Sequence, residues 1–211
     1  MQNLDFMGKT VLIAGADCPA GSEICAAFVA AGARVVLCGR DERALREAAA
    51  GNPERVDHLV MDLLRPRPCH AFGAGWGNEP LDVLVLLQSL AAPERPGAVI
   101  AAIPAFCRAF AQGLAAARSP RVVSVFAAPS QEALAEHRAY DRAMQELPTA
   151  LEHDLRGAGG GIPGHALRMS NAGGLKSVRG LAELARTVLW LCAPQAPAIG
   201  GAVWPVRLPC D

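Results

Sequence analysis

The sequence predicts an α/β protein with a doubly wound parallel sheet in three layers, α/β/α, folded as one domain over residues 1–211. Three observations lead there. Strand-like and helix-like segments alternate from end to end. The strand-like segments are continuously apolar, as strands covered on both faces must be. Hydrophobic residues make up 52% of the chain, enough to bury such a sheet under helices. Right-handed crossovers between parallel strands then place helices on both sides of it.

The elements follow in order. Thr10–Ala14 (TVLIA) reads as a buried strand, and Gly21–Ala31 as a helix stopped by Gly32. Arg34–Cys38 (RVVLC) is a second strand. Asp41–Ala50 is a helix with Asp41 as its cap. His58–Met61 is a short third strand, and Leu81–Leu87 (LDVLVLL) a fourth. RPRP at Arg65–Pro68 reads as an extended surface turn. A helix over Ala98–Ala117 is expected to kink at Pro104. Arg121–Phe126 is the fifth strand. A long helix over Gln131–Leu155 carries Pro148, and Gly157–Gly161 is a loop. His165–Met169 is a sixth strand, Gly180–Ala193 a helix and Ala202–Leu208 a last strand.

Composition excludes several classes. Twenty Lys+Arg balance twenty Asp+Glu, which argues against a generally basic nucleic-acid binder and an acidic tail. The apolar content excludes intrinsic disorder. No apolar run approaches the ~18 residues of a membrane helix. Met1–Lys9 lacks the basic start and apolar stretch of a secretory signal. Seven cysteines, an odd number without a CxxC, suit reduced, mostly buried thiols in a cytoplasmic protein. Five histidines form no HExxH or paired spacing, so no metal site is expected.

The first strand leads into Ala14-Gly-Ala-Asp-Cys-Pro-Ala-Gly21 and then a helix. A glycine turn there aims backbone N–H groups and a helix N-terminus at a phosphate. Together with the order of elements, the chain resembles the short-chain dehydrogenase/reductase family, with its Rossmann-like sheet and its TGxxxGxG turn. Gly15 and Gly21 match the first and third glycines of that motif, and Pro19 stands in place of the second. Arg34–Arg40 resembles the family's second strand, Met61-Asp62-Leu63 its adenine-contacting Asp-hydrophobic pair, and Leu81–Val85 the strand before its NNAG motif. Gly180–Leu208 resembles its last helix and strand.

The resemblance implies a dinucleotide site formed by Gly15, Gly21, Arg40, Asp62 and Leu63. Gly39 stands where the family places an acid for the ribose of NAD, and the Arg40 guanidinium next to it favours the 2′-phosphate of NADP. Asp62 serves equally well as a turn cap. Pro19 removes an N–H donor, and Asp17 sets a carboxylate near the phosphate unless it points away. The NNAG position reads Leu86-Leu87-Gln88-Ser89, which leaves open whether any dinucleotide binds.

The family's Asn-Ser-Tyr-Lys tetrad is mostly missing. Its YxxxK motif aligns with Tyr140–Met144, and Tyr140 is the chain's only tyrosine. The lysine is Met144, the serine is Ala127, and the asparagine position lies near Ile100. A free tyrosine has a pKa of about 10, and bringing it near 7 takes about 4 kcal/mol of electrostatic help. Met144 supplies none. Arg142 belongs to another helix face, and His137 is the one alternative base nearby. The family's PG aligns with Met169-Ser170, and the segment Asn171–Arg179 is shorter than a usual substrate lid.

Three functions remain. The first is a catalytically silent subunit, structural or regulatory, in a homo- or hetero-oligomer with a competent dehydrogenase. The resemblance places its contacts on helices 98–117 and 131–155 and strand 202–208. The second is an NADP-dependent oxidoreductase with altered chemistry around Tyr140. The third is a dinucleotide-sensing binding protein. None involves nucleic acid or a membrane.

Overall fold

A computed structural model describes residues 4–129, 134–156, 162–170, 172–193, 196 and 200–210. Seven strands form one sheet in the order β3-β2-β1-β4-β5-β6-β7, and every neighbouring pair is parallel. The strands are β1 (Thr10–Ala14), β2 (Arg34–Gly39), β3 (Val56–Val60), β4 (Val83–Leu86), β5 (Arg121–Ala127), β6 (Gly164–Met169) and β7 (Ala202–Val206). The helices are α1 (Pro19–Ala30), α2 (Glu42–Ala50), α3 (Pro66–Trp76), α4 (Gln88–Ala91), α5 (Pro96–Ala109), α6 (Ala111–Ala116), α7 (Ala135–Leu155) and α8 (Val178–Cys192).

Alternation along the strands divides the core in two. Val11, Ile13, Val83, Val85, Val123 and Val125 face α1, α2 and α8. Leu12, Ala14, Leu84, Leu86, Val122 and Phe126 face α3, α5 and α7. Each fully buried side chain of this size contributes roughly 1.5–3 kcal/mol. At the amino ends of β1 and β4, Asp82 accepts from Lys9 Nζ at 2.8 Å and from the Thr10 N–H at 3.0 Å, pinning the two central strands together. Asp41 caps α2 as the sequence predicts, accepting from the Arg43 and Ala44 amides.

The structure corrects two predicted elements. RPRP is no extended turn: Pro66 begins α3 and Pro68 lies in its first turn, where the missing proline N–H groups would have had no helical partner. Phe72 and Trp76, one turn apart on α3, stack edge-on against Phe110 at 5.1 and 5.5 Å. That contact also explains the second correction. The single helix over 98–117 is two, α5 and α6, broken at Phe110, whose buried ring fills the space under α3. Pro104 and Pro148 lie within helices, as expected. α4 was not predicted. The expected loop 157–161 and the start of the long helix at 131–133 lie outside the described residues.

Among the described residues no disulfide forms, and five of the seven cysteines are buried. Among the described residues no helix is long and apolar enough to cross a membrane, and no group of three or more metal-ligating side chains comes together.

His165 on β6 is 1% exposed. Its Nδ1 accepts from Trp204 Nε1 at 3.4 Å, which leaves the ring proton on Nε2, buried without an acceptor. Burial and, secondarily, the Arg121 charge lower its pKa below that of a free histidine. As pH falls below about 6.5 the unfolded chain therefore binds a proton that the native chain resists. Stability is complete above that pH and is lost toward the native pKa, by at most about 1.4 kcal/mol per pH unit. Urea unfolding at about pH 7.5 and about pH 5.5 should show this loss, and His165→Gln should lack the histidine's share of it.

Candidate functional site

The sheet changes winding direction between β1 and β4. The connections leaving their carboxyl ends run to opposite sides, and in open α/β sheets ligands bind in the crevice this creates. Gly15 ends β1 with φ +84°, and a Cβ there would lie 2.8 Å from the Leu87 carbonyl carbon and the Gln88 nitrogen. A Cβ on Gly21 would overlap the Ala16 carbonyl. Both glycines are therefore required by close backbone packing, whatever else they do.

At the start of α1 little is left to face a phosphate. Pro19 is the first residue of α1 and has no N–H. The Gly21 N–H donates to the Cys18 carbonyl at 2.8 Å, and the Cys18 sulfur lies against the Ala20 and Gly21 amides. Burial pushes the Cys18 thiol up to about 11, so it is neutral at physiological pH. Asp17 turns away from α1 toward the end of β2. Its carboxylate accepts from the Arg40 N–H at 2.8 Å and the Asp41 N–H at 3.2 Å. It lies where a Cβ on Gly39 would be, so the glycine at 39 makes room for it.

The remaining expected cofactor residues gather around this point. The exposed Arg40 side chain crosses to the Ala91 carbonyl of α4, with Nη2 3.5 Å away. Asp62 acts as a turn cap, accepting from the Leu64 N–H at 3.0 Å and pairing with Arg65 at 3.3 Å. Leu63 is buried in the α3 face of the core. Leu86 and Leu87 are buried on opposite faces of the sheet. Asp17, Gly39, Arg40, Asp62, Leu63, Leu64, Gln88, Ala91 and Ala92 line a cavity of about 20 Å³. Ligand pockets are ordinarily ~300–1,000 Å³, while ~10–15 Å³ admits one water. In this arrangement the residues do not fit a dinucleotide. Gln88 is 2% exposed, and neither polar atom of its side chain has a hydrogen-bond partner among the described residues.

The catalytic half is equally altered. Tyr140 projects from α7 and its hydroxyl meets the side chain of Ser89, which itself donates to the Val125 carbonyl. Sequence reasoning missed Ser89, because it comes from the NNAG position and not from β5. Only the tertiary fold brings α4 and α7 together. Ala127 ends β5 opposite Met169, partly buried. Met144 is fully buried in the α7 core, and Ile100 packs against the same cluster from α5. Burial is the main cause that pushes Tyr140 up to about 12, against which the Ser89 hydrogen bond works. At pH 7 roughly one molecule in a hundred thousand then carries the phenolate. His137 lies 3.8 Å from Glu136, and Arg142 pairs with Glu146 at 3.9 Å. The neighbouring Asp141 holds Arg168 of β6 in a two-pronged pair at 2.8 and 2.9 Å, fixing α7 to the sheet.

Within the short segment expected to form a lid, a 3-10 helix spans Gly173–Lys176. It packs on the chain's last residues, so closely that a Cβ on Gly174 would overlap Leu208. Ser177 accepts from the Gly180 N–H and donates to the Pro209 carbonyl at 3.2 Å. The segment is tied to the C-terminal strand and not held over the site.

No protein-family model matches this chain, and no curated protein does. Solved structures do. The fold is that of the short-chain dehydrogenases/reductases, an α/β/α Rossmann-like sheet. The chain is similar to BdcA (YjgI) from E. coli, with TM-score 0.74 over 95% of this chain and 99% of that one at 21% identity. A short-chain dehydrogenase/reductase from Brucella melitensis, described as a glucose/ribitol dehydrogenase, also matches with TM-score 0.74, covering 97% of each chain at 19% identity. A third, a short chain dehydrogenase/reductase family protein, matches at TM-score 0.74 and 18% identity, over 96% and 97% of the two chains.

Two tests address the catalytic half. Because Tyr140 is the only tyrosine, phenolate absorbance reports on it alone. The native protein should show almost none at about pH 10, where the urea-unfolded chain is half ionised. Met144→Lys places an ammonium in the core without a partner. It should lower the melting temperature by several degrees, the equivalent of about 1–3 kcal/mol or more, without restoring any reductase activity.

Proposed function

We propose that this chain is a degenerate member of the short-chain dehydrogenase/reductase family, catalytically silent by itself. It serves as a structural or regulatory subunit in a homo- or hetero-oligomer, with a competent dehydrogenase as the natural partner. One observation carries this reading: the position of the family's lysine is a methionine with 0% exposure, packed into the core beneath a tyrosine held neutral. Proton transfer to or from a substrate needs a group whose pKa lies near the working pH, and such groups contribute ~10²–10⁴-fold. Tyr140 is far from that range, and Met144 cannot bring it back.

The partner reading is supported by the far edge of the sheet. β7 is an edge strand whose Trp204 is only partly buried, and Trp190 of α8 packs against it edge-on at 6.1 Å while 40% exposed. Large aromatic side chains left at a surface are typical anchors of protein interfaces. The contact between Tyr140 and Ser89 favours a second reading, an NADP-dependent oxidoreductase in which Ser89 replaces the family's serine. The Arg40 side chain at the end of β2 adds to that alternative.

Turnover separates the two. Purified chain with NADPH or NADH and a panel of aldehydes and ketones should oxidise neither cofactor above background. NADPH oxidation that Tyr140→Phe abolishes establishes the second reading and removes the first. In light scattering the wild-type chain should be a dimer or larger, and Trp190→Glu should shift it toward monomer.

A further inference from the structure

The fold carries a dinucleotide crevice, yet the residues at this one do not fit the cofactor. We propose that the crevice is shut by a latch of the chain's own side chains, with Asp17 as its bolt and the buried Gln88 side chain as its plug. The proposal deepens the silent reading and rests on it.

Three independent observations meet here. The first is the bolt. The Arg40 and Asp41 amides lie at the end of β2, where the neighbouring Arg40 side chain would otherwise meet an anionic group. The Asp17 carboxylate takes both amides, at 2.8 and 3.2 Å. A carboxylate accepting N–H bonds is charge-assisted and among the stronger interactions a surface turn can make. It also sets a negative charge where an incoming phosphate would come, and like charges repel at short range. Gly39 is part of the device, because any side chain there would displace the carboxylate.

The second is the bar across the opening. Arg40 spans from β2 to the Ala91 carbonyl at 3.5 Å. Its acceptor exists because the chain after β4 coils into α4, so that Ala91 and Ala92 form a wall facing Gly39.

The third is the orphaned amide. Leaving a buried amide without hydrogen bonds is unfavourable enough that native chains rarely do it. The Gln88 side chain is one such group, and it lines the residual cavity of about 20 Å³. That volume admits one water. Both polar atoms of Gln88 are closed off from solvent, so the amide plugs the crevice and leaves no open surface for a ligand.

The test uses the full chain and adenosine 2′,5′-bisphosphate, a probe for the adenine and 2′-phosphate half of the crevice, titrated by calorimetry. Wild type should show no saturable binding at millimolar probe, and its Arg40 and Asp41 amides should be protected from hydrogen exchange. Asp17→Ala combined with Gln88→Ala removes the bolt and clears the cavity. Binding should then strengthen at least about tenfold, with faster exchange at both amides. Asp17→Asn retains an oxygen for the amides and should gain less than the alanine variant. Saturable binding by wild type overturns the latch, as does rapid exchange of the two amides in wild type. A folded double variant that binds no better also overturns it. The wild-type measurements decide the matter even if the double variant fails to fold. Probe binding without turnover removes the latch and leaves the silent reading standing, whereas Tyr140-dependent turnover removes the silent reading.

Discussion

The split between β1 and β4 governs this molecule. A parallel sheet wound in both directions must have one place where neighbouring connections leave toward opposite faces, and a crevice forms there whether or not it is used. In this chain the crevice is filled from within. Gly15 lets the first turn press against Leu87 and Gln88, α4 supplies a wall, and Asp17 occupies the amides at the end of β2. The leucines at 86 and 87 complete the change by joining the two halves of the core. The Gly21, Arg40 and Asp41 N–H groups all find acceptors within the chain itself.

The catalytic side follows the same physical logic. A lysine that lowers a tyrosine's pKa must be charged and close to it, which requires a solvated or paired environment. Met144 occupies the corresponding turn of α7 as ordinary core. With no such charge beside it, burial acts on Tyr140 and the phenol stays protonated at neutral pH. The pair of Asp141 and Arg168 next to it holds α7 against β6. The segment before α8 is packed likewise, bound through Ser177 to Pro209 beyond β7.

The parallel sheet and the helices with clear apolar periodicity could be read from sequence, because the patterns that mark them are local and repetitive. Continuous apolar runs such as TVLIA and LDVLVLL permit only strands covered on both sides. That positions 127 and 144 hold an alanine and a methionine was equally legible, and neither side chain can perform proton chemistry wherever it sits. α3 was not, because its prolines sit where a helix tolerates them and the ring packing that stabilises it comes from Phe110, distant in sequence. The break between α5 and α6 has the same origin.

At the site, residue identity set the possibilities and three-dimensional proximity chose among them. The sequence alone determined the fold class, the presence of Asp17, Arg40 and Gln88, and the absence of a lysine near Tyr140. Only the tertiary structure decided that Asp17 faces Arg40 and Asp41, that Asp62 caps a turn, and that Ser89 meets Tyr140. The reason is geometric. A side chain's partners across a crossover are set by where β1, β2 and β4 end relative to one another, and that relation exists only once the sheet has closed its register.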